Sequence, residues 1–156
     1  MNELKNFAKL LAFESSKIIK SYFRKKITVD LKSDESPVTI ADKKSEELMR
    51  EMIMKEFPDF GIIGEEFGIL NPDAEYKWIL DPIDGTKSFI CGAISFGTLI
   101  ALTKNDVPIL GVINQPILNE FLIGDNEISK LNDEQVQIRN CEQINDAVLL
   151  TPDHLN

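Results

Sequence analysis

The sequence predicts an α+β fold in which two N-terminal helices pack on a largely antiparallel sheet. Two observations support this fold class. Apolar residues recur at helical spacing up to about residue 57, and the remainder of the chain consists of short apolar runs separated by turn residues. These runs follow one another with no helical segment between them, which favours antiparallel meanders over parallel βαβ units.

The length of 156 residues and the apolar content of 43% predict one domain that spans residues 1–156. The sequence contains no internal repeat, low-complexity tract or linker-like segment. We interpret the mostly polar stretch SKLNDEQ, residues 129–135, as a surface turn and not as a domain boundary.

Two segments are predicted to be helical. Helix 1 lies within residues 1–24, where apolar positions recur at spacings of three, four and seven residues: Leu4, Phe7, Leu11, Ile18 and Tyr22. Helix 2 covers residues 39–57, after the polar connection LKSDESPVT, and Pro58 ends it. Thr39 and Asp42 have the spacing of a capping box at its start.

The predicted sheet extends over residues 60–151. Its strands are the apolar runs, and segments such as KNDVP and GDNE are the turns between them. The runs in chain order are FGIIG, KWILD, FGTLIALT, PILGVINQP, EFLIG, QVQIR and AVLLT.

Composition excludes several classes of function. The net charge of −9 argues against a general surface for nucleic acid or for an anionic membrane, since both require clustered Lys and Arg. The N-terminal segment has charged residues in every apolar run, so it matches neither a signal peptide nor a membrane span. Two cysteines, Cys91 and Cys141, without C-x-x-C spacing predict buried, unreactive thiols and a cytoplasmic protein.

Residue types also exclude several catalytic sites. The single histidine, His154, lies near the C-terminal end, which argues against His-based triads, dyads and zinc sites. No dinucleotide-binding glycine fingerprint or Walker A sequence is present. Carboxylates are the abundant chemical groups that remain.

Two of these carboxylates lie in WILDPIDGTKSF, where an apolar run meets a proline. We expect Pro82 to turn the chain at once, so that Asp81 lies where the strand reaches the surface and Asp84 lies on the same rim. Carboxylates this close repel one another and raise one another's pKa. Mg²⁺, which prefers oxygen ligands, would relieve that repulsion.

A second acidic pair, Glu65 and Glu66, follows the run FGIIG. If the two strands are neighbours, Glu65 joins the two aspartates at one edge of the sheet, and Asp42 could join them from helix 2. Each part alone has an ordinary explanation: a polar turn, a helix cap, or a surface lysine at Lys32 and Lys87. Their combination favours a metal site.

At this point the sequence resembles a known family. WILDPIDGTKSF resembles the signature of the inositol monophosphatase superfamily, and GEE and SPVTIAD match two further motifs of it. The stretches LKSDESPVTIADKKSEE, FGTLIAL and GVINQPILNEFLIG are similar to the histidinol-phosphate phosphatase branch. The resemblance extends from about residue 32 to residue 151.

The resemblance implies a Mg²⁺-dependent phosphatase that uses two or three ions. Glu65, Asp81 and the main-chain carbonyl of Ile83 would hold the first ion, and Asp81 and Asp84 the second. Thr86, oriented by Asp42, would position the attacking water.

The resemblance also implies that the backbone N–H groups of Gly85 and Thr86, at the start of a helix, would bind the phosphate. Glu66 would act either through a further, water-held metal or by supporting the ligands from outside, and Lys32 would support them from outside. The implied substrate is a small phosphate monoester, histidinol phosphate first, and the implied assembly is a homodimer. Alternatives are inositol 1-phosphate or 3′-phosphoadenosine 5′-phosphate as substrate, or a noncatalytic metal-binding or regulatory domain.

The family pattern is incomplete in this sequence. Members continue into a second α/β layer that carries a Trp-Asp-x-Ala-Ala/Gly motif, whose aspartate is a further ligand of the second metal. Trp78 is the sole tryptophan here, and no Trp-Asp pair occurs. We therefore expect the N-terminal layer of an αβαβα sandwich without its C-terminal layer, with weak Mg²⁺ binding and little turnover unless another subunit completes the site.

Overall fold

A computed structural model describes residues 1–26, 28–31 and 37–148. Lys32, His154 and the last residues of the predicted sheet lie outside the described residues. The described elements, in chain order, are α1 (Asn2–Tyr22), β1 (Val29–Leu31), β2 (Pro37–Thr39), α2 (Ile40–Glu56), β3 (Gly61–Gly64), β4 (Gly68–Leu70), β5 (Tyr76–Asp84), α3 (Thr86–Ile90), β6 (Gly97–Lys104), β7 (Val107–Gln115), β8 (Glu120–Asp125), β9 (Ser129–Leu131), β10 (Glu134–Val136) and a 3₁₀ turn (Ile144–Asp146).

The two predicted N-terminal helices are confirmed. α1 buries an apolar stripe that includes Leu11 and Ile19, and its end is followed by Arg24 at a φ of 56°. α2 begins after Thr39, which forms the predicted capping box with Asp42, and it ends just before Pro58. The short helix α3, which the family resemblance had implied after Gly85, is also present.

Among the described residues, eight strands form one sheet in the order β10-β9-β8-β7-β6-β5-β3-β4. All of its pairs are antiparallel except β3 with β5, which are parallel. The predicted, largely antiparallel sheet is therefore confirmed. In the parallel pair Gly64 lies beside Leu80, so the residues that follow both strands meet at one edge.

The predicted end of the run KWILD at Pro82 is wrong, because β5 continues to Asp84. Proline lacks a backbone N–H, and it is tolerated in a strand at a bulge. The pairing of β5 with β6 shifts register between Asp81 and Asp84. The Thr98 hydroxyl of β6 donates a buried hydrogen bond of 2.9 Å to the Pro82 carbonyl and so satisfies an acceptor within this irregular segment.

Several smaller elements differ from the prediction. The segment interpreted as a connection before helix 2 begins at the last residue of β1 and contains β2, and these two strands form a separate two-stranded sheet. The stretch SKLNDEQ contains β9 and the start of β10 on either side of a turn, in which Asn132 and Asp133 have positive φ. The run QVQIR is a strand only as far as Val136, and Ala147 and Val148 of the run AVLLT are not in a strand.

The predicted burial of the cysteines is wrong, since Cys91 and Cys141 are both exposed. Cys91 directly follows α3, and Cys141 lies after β10, so neither is in an element that packs against the core. No helix within the described ranges has the length and apolar character required to cross a bilayer.

The helices cover one face of the sheet. Trp78, Leu80 and Ile100 point to that face and pack in one core with residues of α1 and α2. Side chains alternate across a strand, so Ile79 and Ile113 point to the opposite face, where they are 37% and 53% exposed. We call this second side, with Ile79, Leu99, Ala101 and Ile113, the open face.

Candidate active site

The acidic residues of two motifs meet at the edge where the parallel strands β3 and β5 end. Glu65 directly follows β3, and its N–H donates a hydrogen bond of 3.2 Å to the carbonyl of Leu80 in β5. Asp81 and Asp84 belong to the last part of β5. The expectation that the two strands are neighbours is therefore correct, because a parallel pair brings its C-terminal ends to the same edge.

Asp81 lies one position beyond the buried Leu80, so its side chain belongs to the open face. It lines a cavity there with Ile79 and Leu99. Its Oδ1 atom is buried and has no hydrogen-bond partner among the described residues. Burial, a hydrogen bond with Glu65, and the charges of Glu65 and Asp84 raise the pKa of Asp81 to about 8.

The turn after β5 brings the phosphate-binding candidates together. Gly85 has a φ of 88°, and a Cβ atom there would lie 2.9 Å from the carbonyl oxygen of Ser95. Both facts require glycine at this position. α3 begins at Thr86, whose hydroxyl donates a hydrogen bond of 3.1 Å to the carbonyl of Ile83. That carbonyl has two lone pairs, so it can accept a second partner.

Asp42 has two separate oxygen environments. Its Oδ2 atom accepts the hydrogen bond of the capping box from the Thr39 N–H at 2.9 Å, and it also accepts one from the Thr39 hydroxyl at 2.5 Å. Its Oδ1 atom is buried without a hydrogen-bond partner in the described part of the chain. Burial raises the pKa of Asp42, although the hydrogen bonds from Thr39 oppose that shift. The expected partner of Asp42, Thr86, bonds instead to Ile83.

The remaining predicted residues differ in exposure. Asp84 and Gly85 are exposed, whereas Glu66 is half-buried. A cavity of about 690 Å³ opens beside them. This volume is in the range of small-molecule sites. The lining of this cavity combines the polar residues Glu65, Asp84, Gly85 and Thr86 with apolar residues that include Leu99 and Ile113.

Sequence reasoning missed Glu46 and Arg50 of α2. The fully buried Glu46 accepts hydrogen bonds from the N–H groups of Glu66 and Phe67, at 2.7 and 3.1 Å. It also forms an ion pair of 3.0 Å with Arg50. The signal that could have found it is a charged residue in the apolar stripe of helix 2, one turn after Asp42 and one turn before Arg50.

The donor set fits a hard divalent cation. Two buried carboxylate oxygens without hydrogen-bond partners among the described residues, and an Asp81 carboxyl whose pKa is raised by burial and by its neighbour Glu65, are features that a cation would stabilise. Within the described ranges, however, no three Asp, Glu, His or Cys side chains are gathered closely enough to enclose an ion. The structure joins Glu65 to Asp81 directly, and Asp84 acts on Asp81 through its charge.

The fold therefore places an acidic strand edge beside a Gly-Thr turn. The chain belongs to the inositol monophosphatase family, whose model matches residues 1–155. The relatives of this family that the chain resembles are phosphatases, which are hydrolases, and members of the family are generally metal-dependent.

Individual relatives agree with this assignment. The chain is 49% identical to the chloroplastic bifunctional phosphatase IMPL2 of Arabidopsis thaliana, over 96% of the chain and 45% of that protein. It is 46% identical to a histidinol-phosphatase of Chlorobaculum parvum, over 71% of the chain and 43% of that protein. The structure of an inositol monophosphatase from Zymomonas mobilis matches with a TM-score of 0.77 and 45% identity, over 90% of the chain and 54% of that structure. The chain thus spans about half the length of these relatives and corresponds to an N-terminal half.

Proposed function

We propose that this chain is the N-terminal, metal-binding half of a Mg²⁺-dependent phosphatase that hydrolyses a small phosphate monoester. The observation that supports this most strongly is the contact between Glu65 and Asp81 at the ends of two parallel strands, beside the Asp84-Gly85-Thr86 turn. A metal-free pair of this kind is held together only by retaining a proton, whereas a bound cation removes that need.

Each ligand has a proposed place. Glu65, Asp81 and the main-chain carbonyl of Ile83 would hold one Mg²⁺, and Asp81 and Asp84 would hold a second. Bound Mg²⁺ supplies positive charge for a dianionic phosphate and lowers the pKa of a water ligand. Glu66 supports the ligand set from outside it, and Lys32 is proposed for the same role.

The residues of the turn bind and orient the reactants. The N–H groups of Gly85 and Thr86, which begin α3, donate to phosphate oxygens, because the first N–H groups of a helix have no partner within it. The Thr86 hydroxyl orients the attacking water in line with the scissile bond. Asp42 assists through Oδ1, the oxygen that the helix cap leaves available.

Histidinol phosphate is the proposed substrate. This choice rests on the sequence details of the histidinol-phosphate phosphatase branch and on the likeness to a histidinol-phosphatase. Inositol 1-phosphate is the second candidate, favoured by the similarity to proteins named for that substrate, including one from Rhizobium meliloti. 3′-Phosphoadenosine 5′-phosphate is the third candidate, favoured by the likeness to a 3′(2′),5′-bisphosphate nucleotidase.

We also propose a cytoplasmic homodimer. Ile79, Leu99 and Ile113 leave an apolar patch on the open face, next to Asp81. Apolar patches of this kind mark association surfaces. A second copy that covers the patch would also close one wall of the candidate site.

The test is phosphate release from the three candidate substrates, with and without Mg²⁺. Release that depends on Mg²⁺ and is lost in Asp81→Asn supports the phosphatase, and the preferred substrate identifies the branch. Asp73→Asn, which removes an exposed carboxylate outside the site, is the matched control. No release above the Asp81→Asn background contradicts activity of this chain on its own.

Thr86→Ala separates an enzyme from a noncatalytic metal-binding domain. Under the phosphatase proposal this variant still binds Mg²⁺ but releases no phosphate, while Thr86→Ser retains part of the activity because it keeps the hydroxyl. A domain that only binds or senses metal would be indifferent to both changes.

A further inference from the structure

A buried carboxylate of α2 holds the loop that carries Glu65. Glu46 is 0% exposed, and its two oxygens accept three hydrogen bonds. Oε2 accepts the N–H of Glu66 at 2.7 Å, and Oε1 accepts the N–H of Phe67 at 3.1 Å and a guanidinium N–H of Arg50 at 3.0 Å. The carboxylate therefore binds the backbone directly after Glu65.

Arg50 closes this arrangement from the other side. The same Nη1 atom that pairs with Glu46 also donates a hydrogen bond of 3.0 Å to the carbonyl of Gly68. The two side chains of α2 thus hold the loop at residues 66, 67 and 68. Because Glu46 is paired and fully hydrogen-bonded, its charge can be accommodated in a buried position.

The residue before Glu65, Gly64, leaves room for the carboxylate of Glu46. At Gly64, a Cβ atom would lie 1.8 Å from Oε1 of Glu46, so only glycine permits the approach. The N–H of Glu65 itself bonds to the carbonyl of Leu80. Glu65 is therefore fixed by β5 at its own N–H and by Glu46 at the next two N–H groups.

We infer that Glu46, braced by Arg50, is a positioning residue that sets the place of Glu65 for the divalent cation. The inference rests on the proposed function, since it concerns the cation that Glu65 and Asp81 are proposed to bind. Glu46 touches neither the ion nor the substrate; it acts through the backbone of residues 66 and 67. Residues that orient metal ligands in this way typically change metal affinity about 10–100-fold when they are replaced.

A purely structural ion pair predicts a different result. If Glu46 and Arg50 contribute only to folding, then replacing Glu46 lowers the free energy of unfolding but leaves the cation affinity of the folded protein unchanged. A positioning role predicts weaker affinity in protein that is still folded. Stability and affinity must therefore be measured on the same variants.

The experiment compares Glu46→Gln with Glu47→Gln, which removes the same charge from an exposed neighbouring position of the helix. The probe is Mn²⁺, which prefers the same oxygen ligands as Mg²⁺ and is followed through the EPR signal of the free ion. In Glu46→Gln, where an amide NH₂ replaces one acceptor oxygen, we expect the Kd for Mn²⁺ to rise about 10–100-fold. In Glu47→Gln we expect it to stay within about twofold of the wild type.

Amide hydrogen exchange without metal gives a second readout. We expect the amides of Glu66 and Phe67 to exchange faster in Glu46→Gln, whereas Leu80 and Ile100 in the core keep their protection. If Glu46→Gln does not fold, Arg50→Lys provides the same two measurements with a milder change, because it keeps a positive charge beside the buried Glu46 but removes the guanidinium that binds both Glu46 and the carbonyl of Gly68. We expect both the Kd and the exchange rates to change in the same direction as in Glu46→Gln, by a smaller amount.

The outcomes are distinct. Unchanged Kd together with unchanged exchange at Glu66 and Phe67 overturns the inference and leaves the proposed function standing. Mn²⁺ uptake by the wild type that Asp81→Asn does not weaken overturns the proposed function and the metal part of the inference. The exchange rates still decide whether Glu46 holds the loop.

Discussion

Replacing Gly85 by alanine tests the geometry of the turn that carries the phosphate-binding groups. Two costs add at this position. A left-handed backbone conformation, here at φ 88°, costs an alanine about 1–2 kcal/mol relative to glycine. The new Cβ atom would also lie 2.9 Å from the carbonyl oxygen of Ser95, and overpacking of this kind costs about 1–3 kcal/mol.

Gly68 is the matched control, because it separates the two costs. It has a φ of 68°, but an added Cβ atom would meet nothing within 4 Å. Gly68→Ala should therefore lower the free energy of unfolding only by the conformational cost, about 1–2 kcal/mol. Gly85→Ala should lower the free energy of unfolding by both costs together, about 2–5 kcal/mol. The steric cost is expected in full, because a backbone carbonyl, unlike the end of a flexible side chain, cannot move aside easily.

The assay is urea unfolding followed through the fluorescence of Trp78, the sole tryptophan, which is fully buried. Free energies of unfolding for the wild type and both variants come from linear extrapolation. Equal losses in Gly85→Ala and Gly68→Ala, within about 0.5 kcal/mol, would refute the steric argument. A larger loss in Gly68→Ala would refute the assignment of both costs.

Three further predictions address the site and its surroundings. Asp81 loses its proton near pH 8 in the folded, metal-free chain but near its ordinary pKa of 3.8 when unfolded. The folded state therefore binds more protons between these values, so the free energy of unfolding should fall as pH rises through that range. Urea titrations should show a smaller fall in Asp81→Asn, in which only the raised pKa of Asp42 remains. Thr98→Val leaves the Pro82 carbonyl without its buried donor, so urea unfolding should show a loss of about 1–3 kcal/mol; a loss below about 0.5 kcal/mol would mean that water replaces the hydroxyl. Ile113→Lys places a charge on the open face, so sedimentation should show weaker self-association than in the wild type. The control is Ile138→Lys, which changes an exposed isoleucine outside the open face and should leave self-association unchanged. A dimer as stable in Ile113→Lys as in the wild type would place the interface elsewhere.

Much of the secondary structure could be predicted because its signals are local. Helical periodicity and the Thr39-Asp42 cap located α2, whose bounds agree closely with the expected residues 39–57. The strands with strong apolar runs, such as β6 and β7, were also located. Short or exposed strands such as β4 and β9 were missed, because three residues carry too little pattern to distinguish a strand from a turn.

The error at Pro82 has a different origin. Proline removes an N–H, but whether that loss matters depends on whether a neighbouring strand requires the hydrogen bond. Here β3 already ends opposite Leu80, and β6 is out of register across Pro82. Only the pairing of three strands reveals that the bulge tolerates the residue, so local reasoning ended the strand too early.

The sequence by itself determined the chemistry of the candidate site, because the residue types and spacing of Asp81, Asp84, Gly85 and Thr86 are local properties of one turn. The tertiary structure alone decided which groups meet there. The parallel pairing of β3 with β5 brings Glu65 to Asp81, and the packing of α2 places Glu46 beneath the loop that follows Glu65. These contacts join residues that are far apart along the chain, and their energies depend on burial and distance, which exist only once the chain has folded.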